Sequence, residues 1–291
     1  MTVSKPVNVA SVPQRSPFRY PGGKTWLVPQ IRRWLSHTKP ETLIEPFTGG
    51  GIVGLTAAFE RLSEKVILIE RDENVAAVWK TILGRNSQWL VNQILEFEID
   101  RERVCERLSE KPSCTREHAF QTILRNRTSH GGIMAHGSGM IKNGESGKGI
   151  SSRWYPATLA KRIEAIHEHR ERIHFIEGDA LKILPDYLDA SKTAFFVDPP
   201  YTASKKKAGK RLYQYNELDH HQLFELMSQA AGEFLMTYDD DPNVRELIET
   251  YQFECSSIPM KNTHHESMME LLISKNVTWP EIKDPQLKLF E

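Results

Sequence analysis

The chain is poor in cysteine and has no long apolar run. Its 291 residues include only Cys105, Cys114 and Cys255, and none of these form a C-x-x-C pair. This spacing argues against a disulfide scaffold and a structural zinc site, so we expect reduced thiols and no metal. No segment approaches the roughly 20 apolar residues of a membrane helix, and residues 1–16 lack the apolar core of a secretory signal. We therefore expect a cytoplasmic protein with no membrane segment.

An excess of charge of one sign is also missing. The chain carries 38 basic and 38 acidic residues, and proteins that attract nucleic acid over their whole surface are more basic than this. The distribution is uneven, however. Residues 121–162 contain seven Lys or Arg and one acid, Glu145, while residues 201–215 contain five Lys or Arg and no acid. These two zones indicate a localised site for a polyanion, with a solvated basic surface as the alternative for each.

Short apolar runs alternate with helical patterns along most of the chain. Strands are predicted at residues 43–47, 66–69, 173–176, 194–197 and 234–238, with helices between them. This alternation is typical of a doubly wound α/β fold with a mostly parallel sheet covered on both faces. Such sheets bind ligands at the carboxyl ends of their strands, so functional residues should follow the strands.

The alternation breaks in the middle of the chain. Residues 86–171 contain charged helical stretches and then a glycine-rich loop at residues 129–152. We interpret this region as an insertion into a core made of residues 17–85 and 172–278. Residues 1–16 and 279–291 are predicted to be a flexible lead and a loose tail.

A glycine turn follows the first predicted strand. Residues 49–54, Gly-Gly-Gly-Ile-Val-Gly, fit G-x-G-x-x-G between a strand and a helix. Glu70 ends the next strand nineteen residues after Gly51, the usual distance for a carboxylate that accepts hydrogen bonds from a ribose. The pattern predicts a ligand that carries adenosine, without separating NAD from S-adenosylmethionine. A packing turn with a solvent-facing Glu70 is the alternative.

The tetrapeptide Asp198-Pro199-Pro200-Tyr201 directly follows the predicted strand at residues 194–197. Its prolines end the strand and remove two backbone donors. The Asp198 carboxylate and the Pro199 carbonyl would accept hydrogen bonds from an exocyclic amine and localise its lone pair. Tyr201 would stack on the base, a contact worth ~1–3 kcal/mol. The tetrapeptide therefore indicates methylation of an amino group, with a proline-rich strand end as the alternative.

Together these motifs resemble those of the Dam-type DNA adenine-N6 methyltransferases (D12 class, alpha group). Residues 18–24, Phe-Arg-Tyr-Pro-Gly-Gly-Lys, resemble the family's N-terminal motif, and residues 45–51, Glu-Pro-Phe-Thr-Gly-Gly-Gly, resemble its methyl-donor loop. Gly178-Asp179 resembles a third element, and the tetrapeptide is similar to the catalytic motif. The resemblance covers nearly the whole chain. It implies a Rossmann-like S-adenosylmethionine methyltransferase sheet with a target-recognition insertion at residues 86–171.

The resemblance also implies an activity and the residues that perform it. A site-specific enzyme would methylate N6 of an adenine flipped out of duplex DNA. Asp198, Pro199 and Tyr201 would be catalytic. S-adenosylmethionine would be held by Tyr20, Lys24, Phe47, Gly49, Gly51, Glu70, Asp179 and Asp198. Tyr20 stands where the best-known members have tryptophan, and Glu70 stands where many have aspartate.

Double-stranded DNA would be the partner, and the two basic zones would contact it. In the first zone, Arg125 and Arg127 could pair with guanine and Asn126 with adenine. The remaining candidates for DNA contact are Lys142, Arg153, Lys205 and Lys206. A flipped base leaves a gap in the base stack. The side chains that could fill this gap are Trp154, Tyr155 and Met134. The family's tyrosine-containing loop motif is not clear between residues 120 and 154, so the sequence does not indicate a recognition site.

Several alternatives stay open at this point. The acceptor could be cytosine N4, RNA adenine or a protein glutamine amide. The chain could instead be a DNA-binding relative that has lost its chemistry. A nicotinamide dehydrogenase would explain the glycine turn but not the tetrapeptide. A cognate restriction endonuclease acting on the same site is a partner that this interpretation allows without requiring it.

Overall fold

A computed structural model describes residues 12–19, 23–134, 139–144, 147–200, 218–261 and 267–279 of the chain. Its strands form a seven-stranded sheet: β1 (Thr42–Glu45), β2 (Lys65–Glu70), β3 (Ile173–Glu177), β4 (Thr193–Val197), β5 (Glu233–Asp239), β6 (Glu254–Lys261) and β7 (Ser267–Ser274). The order across the sheet is β3-β2-β1-β4-β5-β7-β6. The first five strands in that order are parallel, and β7 is antiparallel to both of its neighbours. The predicted doubly wound, mostly parallel sheet is confirmed.

Helices connect the strands and cover both faces of the sheet. They are α1 (Val28–Thr38), α2 (Ile52–Glu60), α3 (Glu73–Leu83), α4 (Ser87–Glu96), α5 (Arg101–Ser109), α6 (Thr115–Thr128), α7 (Pro156–Glu168), α8 (Ala180–Ile183), α9 (His220–Gln229) and α10 (Pro242–Thr250). Successive strand residues point to opposite faces. Leu43 therefore joins the apolar cluster with α1, α2 and α3, whereas Ile44 joins the one with α9 and α10.

Aspartates fix where several helices begin. Asp72, Asp100, Asp219 and Asp241 precede α3, α5, α9 and α10, and each side chain accepts a hydrogen bond from a backbone N–H of the first turn. Such caps satisfy donors that the helix itself leaves unpaired. Pro242 occupies the first turn of α10, as its fixed φ favours. These local signals explain why the helices that lead into the sheet begin where they do.

The helices of the predicted insertion share their core with the sheet. Leu90 of α4, Phe120 of α6 and Ile163 of α7 belong to the same apolar cluster as Val66 of β2 and Val78 of α3. This region therefore packs as part of one body with the core, and the boundaries at residues 86 and 171 stay predictions. Within the described ranges, no helix combines the length and the apolar character needed to cross a membrane.

Candidate active site

Acidic residues lie along the carboxyl edge of the parallel strands, and three of them, Glu70, Asp179 and Asp198, were predicted to bind the cofactor. Glu45 ends β1 and Glu70 ends β2, while Asp198 directly follows β4. Because β1 pairs with both β2 and β4, these three carboxylates follow adjacent strands. Asp179 follows β3 at the same edge. Parallel pairing thus gathers acidic side chains from distant parts of the sequence into one region.

The glycine turn between β1 and α2 is held against α3. Gly49 and Gly51 have φ values of 45° and 63°, in the left-handed region that glycine adopts without strain. A Cβ atom at Gly51 would lie 2.7 Å from Cζ2 of Trp79. The Trp79 indole N–H donates a hydrogen bond to the Gly49 carbonyl at 3.1 Å. The turn therefore needs glycine for both its backbone conformation and its close approach to Trp79.

Glu45 is buried beneath the start of α2. Its Oε2 accepts a hydrogen bond from the Gly54 N–H at 2.7 Å, and the residue is only 3% exposed. A Cβ atom at Gly54 would lie 2.6 Å from Leu68 Cδ2 and 2.7 Å from this oxygen, so α2 approaches the sheet closely. Burial raises the pKa of Glu45 to about 8, although the hydrogen bond from Gly54 favours the charged form.

Glu70 joins the glycine turn to the turn after β2. Its Oε2 accepts from the Gly49 N–H, and its Oε1 accepts from the Arg71 and Asp72 N–H groups, all at 2.8 Å. Burial raises the pKa of Glu70 to about 7 against these hydrogen bonds. The structure thus shows Glu70 organising the backbone of the site, and its contact with a ribose stays a prediction.

Asp179 and Phe47 flank this region. Asp179 caps α8 by accepting from the Leu181 N–H at 3.1 Å, and its other oxygen lies 3.7 Å from Nη1 of Arg71. Phe47 packs against the apolar cluster on the α9 and α10 face. Phe47 therefore precedes the glycine turn and Asp179 lies beside Arg71 after β2, whereas their contact with an adenosine stays a prediction.

Lys24 and Asp198 form the centre of a buried polar cluster. The Lys24 Nζ lies 2.9 Å from Asp198 Oδ1 and 3.0 Å from Glu270 Oε1. Thr237 donates a hydrogen bond to the same Asp198 oxygen at 2.7 Å. Burial disfavours the Lys24 ammonium, but Asp198 and Glu270 outweigh it and raise the pKa of Lys24. Lys24 is therefore a permanent cationic donor to the Asp198 carboxylate.

Sequence reasoning missed three residues of the site: Glu45, Thr237 and Glu270. Glu45 stood in a quoted motif but without a role of its own. Thr237 is an uncharged polar residue within β5, and no pattern in the sequence distinguishes it. Glu270 offered a signal, because it is the charged residue of the otherwise uncharged segment Ser267–Ser274. A carboxylate in the middle of a buried strand needs a partner, and Lys24 is that partner.

The structure corrects the prediction that Asn126 and Arg127 read DNA bases. Asn126 is 0% exposed; its Oδ1 accepts from the Arg19 N–H at 2.9 Å, and its Nδ2 donates to the carbonyls of Arg19 and Gly132. Arg127 is 5% exposed and donates to the Pro17 carbonyl at 2.5 Å. Both side chains hold the segment at residues 16–19 and are buried, so they are not available to read bases.

The other predicted DNA contacts have different surroundings. Lys142 is exposed, whereas Arg125 and Arg153 are half-buried. Trp154 was a candidate to fill the gap left by a flipped base. It is 7% exposed and packs edge-on against Phe97, so it is not available for that role. Tyr155 is 49% exposed. Tyr20, Tyr201, Lys205 and Lys206 lie outside the described residues.

The chemistry of this edge fits S-adenosylmethionine. Within the part of the chain that the structure describes, Glu45 and Glu70 accept hydrogen bonds from backbone amides and have no basic side chain as a partner. Burial raises the pKa of both carboxyl groups, so a ligand with a positive charge would favour their ionised forms. In the same described ranges, no group of three or more metal-binding side chains occurs.

Two solved methyltransferase structures resemble this chain in the course of the backbone and share little sequence identity with it. The rRNA methyltransferase AviRa from Streptomyces viridochromogenes is 14% identical, with 94% of this chain and 95% of that chain covered at a TM-score of 0.41. The M1A22 tRNA methyltransferase TrmK from B. subtilis is 7% identical, with 84% and 64% covered at a TM-score of 0.36. Similarity at this level adds nothing to the choice of family.

Sequence comparison is more specific. The DNA N-6-adenine-methyltransferase of Escherichia phage P1 is 25% identical over 258 residues, which cover 84% of this chain and 32% of that protein. The chain thus spans about a third of the length of this relative. Residues 20–263 match the model of the D12 class N6 adenine-specific DNA methyltransferases. That match extends over most of the chain and confirms the resemblance of the motifs: the chain belongs to the D12 class of N6 adenine-specific DNA methyltransferases.

Proposed function

We propose that the protein transfers a methyl group from S-adenosylmethionine to N6 of a specific adenine that is flipped out of duplex DNA. Membership of the D12 class supports adenine as the acceptor. The observation that carries the proposal is the Asp198 carboxylate, fixed by Lys24 and Thr237 at the edge of the sheet beside the glycine turn. Such a carboxylate is suited to orient an amine for attack.

The glycine turn and the carboxylates around it would hold the cofactor. Gly49 and Gly51 would let the backbone approach the ligand closely, Glu70 would accept from the ribose hydroxyls, and Asp179 would accept from the adenine amino group. Phe47 and Lys24 would complete the pocket with Tyr20. When bound, S-adenosylmethionine supplies an activated methyl group on a sulfonium sulfur.

Asp198 and Pro199 would orient the target amine. The Asp198 side chain is 25% exposed, so it is accessible from solvent although Lys24 and Thr237 hold one of its oxygens. With the Pro199 carbonyl, it would accept hydrogen bonds from N6 and localise the nitrogen lone pair. Tyr201 would stack on the flipped base. Positioning of this kind supplies a large part of the rate enhancement in a direct displacement.

Double-stranded DNA would lie across the basic zones, with Arg125, Lys142 and Arg153 among its contacts. The second zone, which includes Lys205 and Lys206, would contact the strand near the flipped base. Phosphate contacts of this kind fix the position of the protein on DNA, and their contribution to affinity falls with salt. The target sequence would be read by groups on the same surface.

Expression in cells that lack adenine methylation tests the proposed function. Sequencing of their DNA with detection of modified bases should show N6-methyladenine in one recurring short sequence. Asp198→Ala should abolish this signal while the protein still folds, and Asp189→Ala, an exposed aspartate outside the site, should leave it unchanged. Unmodified adenine in cells that contain folded wild-type protein would contradict the proposal, as would full activity in Asp198→Ala.

A further inference from the structure

A buried carboxylate from β7, two strands away from β4 in the sheet, contacts the ammonium group that holds Asp198. Glu270 is 1% exposed, and its Oε1 lies 3.0 Å from the Nζ of Lys24. It lies on β7, beyond residues 20–263 that match the family model. No motif in the sequence assigned it a role. Its place beside Lys24 therefore calls for an explanation from the structure itself.

The backbone at Glu270 is held by strand pairing on both sides. β7 lies between β5 and β6, and the Glu270 Cα is paired with Asp239 on one side and Ile258 on the other. Leu272 is the next residue of β7 on the same face, and it packs in the apolar cluster that contains α1. Helix α1 begins four residues after Lys24. A residue paired on both sides in the sheet has little freedom to follow the movements of a partner.

Burying two carboxylates beside one ammonium group should lower the stability of the folded protein. A Lys24–Asp198 pair would by itself neutralise the buried ammonium. A second buried carboxylate adds a desolvation penalty that an ion pair often fails to offset. With Lys24 protonated and both carboxyl groups ionised, these three side chains together carry one positive and two negative charges. The surplus negative charge lies at the position where the target amine is expected.

We propose that Glu270 is a positioning residue for methyl transfer, which acts on Asp198 through Lys24. This inference rests on the proposed function. Glu270 holds the Lys24 Nζ on one side, so the ammonium presents another N–H to Asp198 Oδ1. Thr237 holds the same oxygen from β5. The carboxylate is thus fixed in one orientation before the adenine arrives.

Besides the fixed orientation of Asp198, the extra negative charge of Glu270 would favour the reaction. In methyl transfer, the N6 lone pair forms a bond to the methyl carbon, and the electron pair of the carbon–sulfur bond remains on sulfur. A positive charge therefore moves onto N6, until its proton passes to the Asp198 carboxylate and then to water. A pre-oriented negative cluster beside N6 stabilises this developing charge. Without the Glu270 charge, the Lys24–Asp198 pair would be neutral.

Steady-state kinetics of Glu270→Gln, which keeps the shape of the side chain but removes its charge, tests the inference. We expect kcat to fall at least about tenfold, with the KM values for cofactor and DNA within about twofold of wild type. Glu270→Asp, which restores the charge on a shorter side chain, should recover part of this loss. Glu254→Gln makes the same change at an exposed position of β6 and should leave kcat unchanged.

A double-mutant cycle with Lys24→Met separates positioning from a general structural role. If Glu270 acts through Lys24, Glu270→Gln should lower kcat no further in the Lys24→Met background. The free energy of unfolding in urea should show coupling between the same two positions, a readout that needs no bound cofactor. Equal losses of kcat in both backgrounds, or a loss of stability with wild-type kcat, would overturn the inference.

Two further outcomes are decisive. Wild-type protein that methylates no DNA would overturn the proposed function and this inference with it, whereas active wild type with equally active Glu270→Gln overturns the inference alone. If Glu270→Gln does not fold, Glu270→Asp decides. Its kcat should be below that of wild type with unchanged dissociation constants for cofactor and DNA, and wild-type kcat in that variant would refute the role of Glu270.

Discussion

Burial of Glu45 should make the stability of the protein depend on pH. Burial raises its pKa to about 8 in the folded protein, compared with about 4.3 for an unperturbed glutamate. Between these values the unfolded chain has released the proton while the folded protein keeps it. The free energy of unfolding should therefore fall as pH rises through this window, by up to about 1.4 kcal/mol per pH unit, and level off above pH ~8. Glu70 contributes in the same direction up to about pH 7.

Glu45→Gln should remove its part of this slope, because the amide keeps the shape of the side chain and has no proton to lose. Urea unfolding of the cofactor-free protein between pH 5 and 9, on the order of one measurement per pH unit, would show a flatter profile than wild type. Glu64→Gln, an exposed glutamate, is the matched control and should keep the wild-type slope. If the free energy of unfolding of Glu45→Gln depended on pH as steeply as that of wild type, Glu45 would not be a neutral acid in the folded protein.

Among the described residues, Tyr155 is an exposed aromatic side chain that we propose to contact DNA. It precedes α7, and its neighbour Trp154 packs in the core against Phe97. Tyr155→Ala should weaken DNA binding by roughly 1–3 kcal/mol, the range for a lost stacking contact. Titration with fluorescent duplex DNA measures this. Leu95→Ala, also exposed, is the control, and equal affinities of the two variants would exclude a DNA contact by Tyr155.

Residue by residue, the sequence singled out Asp198 and Glu70 at strand ends but missed Glu45, Thr237 and Glu270. Asp198 and Glu70 were identified because Asp198 directly follows a predicted strand and Glu70 ends one. Glu270 belongs to the same cluster as Asp198 but lies 72 positions later, on an antiparallel strand. Local periodicity contains no information about such a long-range contact. A charged residue in an uncharged strand was the available signal.

Among the elements, α6 shows most clearly why a composition-based interpretation fails. Its polar residues Asn126 and Arg127 stand in a basic zone, which favoured a DNA-reading role. In the structure they are buried and hold the backbone of the segment at residues 16–19, which leads towards Lys24. Arg162 of α7 holds the same segment through the Ser16 carbonyl at 3.1 Å. Burial of a polar side chain with backbone partners leaves no trace in composition.

Asn126→Ala tests this role of α6. It leaves the Arg19 N–H and the carbonyls of Arg19 and Gly132 without their partner, so the free energy of unfolding should fall by about 2–5 kcal/mol. Asn92→Ala on α4, where the amide bonds an exposed Gln88, is the control and should cost little. Unfolding in urea compares the two. Wild-type stability of Asn126→Ala combined with lost sequence preference on DNA would restore the base-reading role.

At the scale of the whole molecule, the parallel sheet turns a linear order of motifs into one site. The alternation of strands and helices predicted this sheet, and the pairing of β1 with β2 and β4 confirms it. The separation of an insertion at residues 86–171 is harder to judge from sequence, since α4, α6 and α7 share one apolar cluster with α3. A change in composition marks a region along the chain, whereas a domain boundary depends on which residues pack together.

The most direct measurement of the central claim uses purified wild-type protein, S-adenosylmethionine with an isotopically labelled methyl group, and duplex DNA. Mass spectrometry of the digested DNA identifies the base that carries the label. We predict labelled N6-methyladenine, and none with Asp198→Ala protein. Label on cytosine N4, or no labelled base although the folded protein binds the cofactor, would contradict the assignment of adenine N6 as the acceptor.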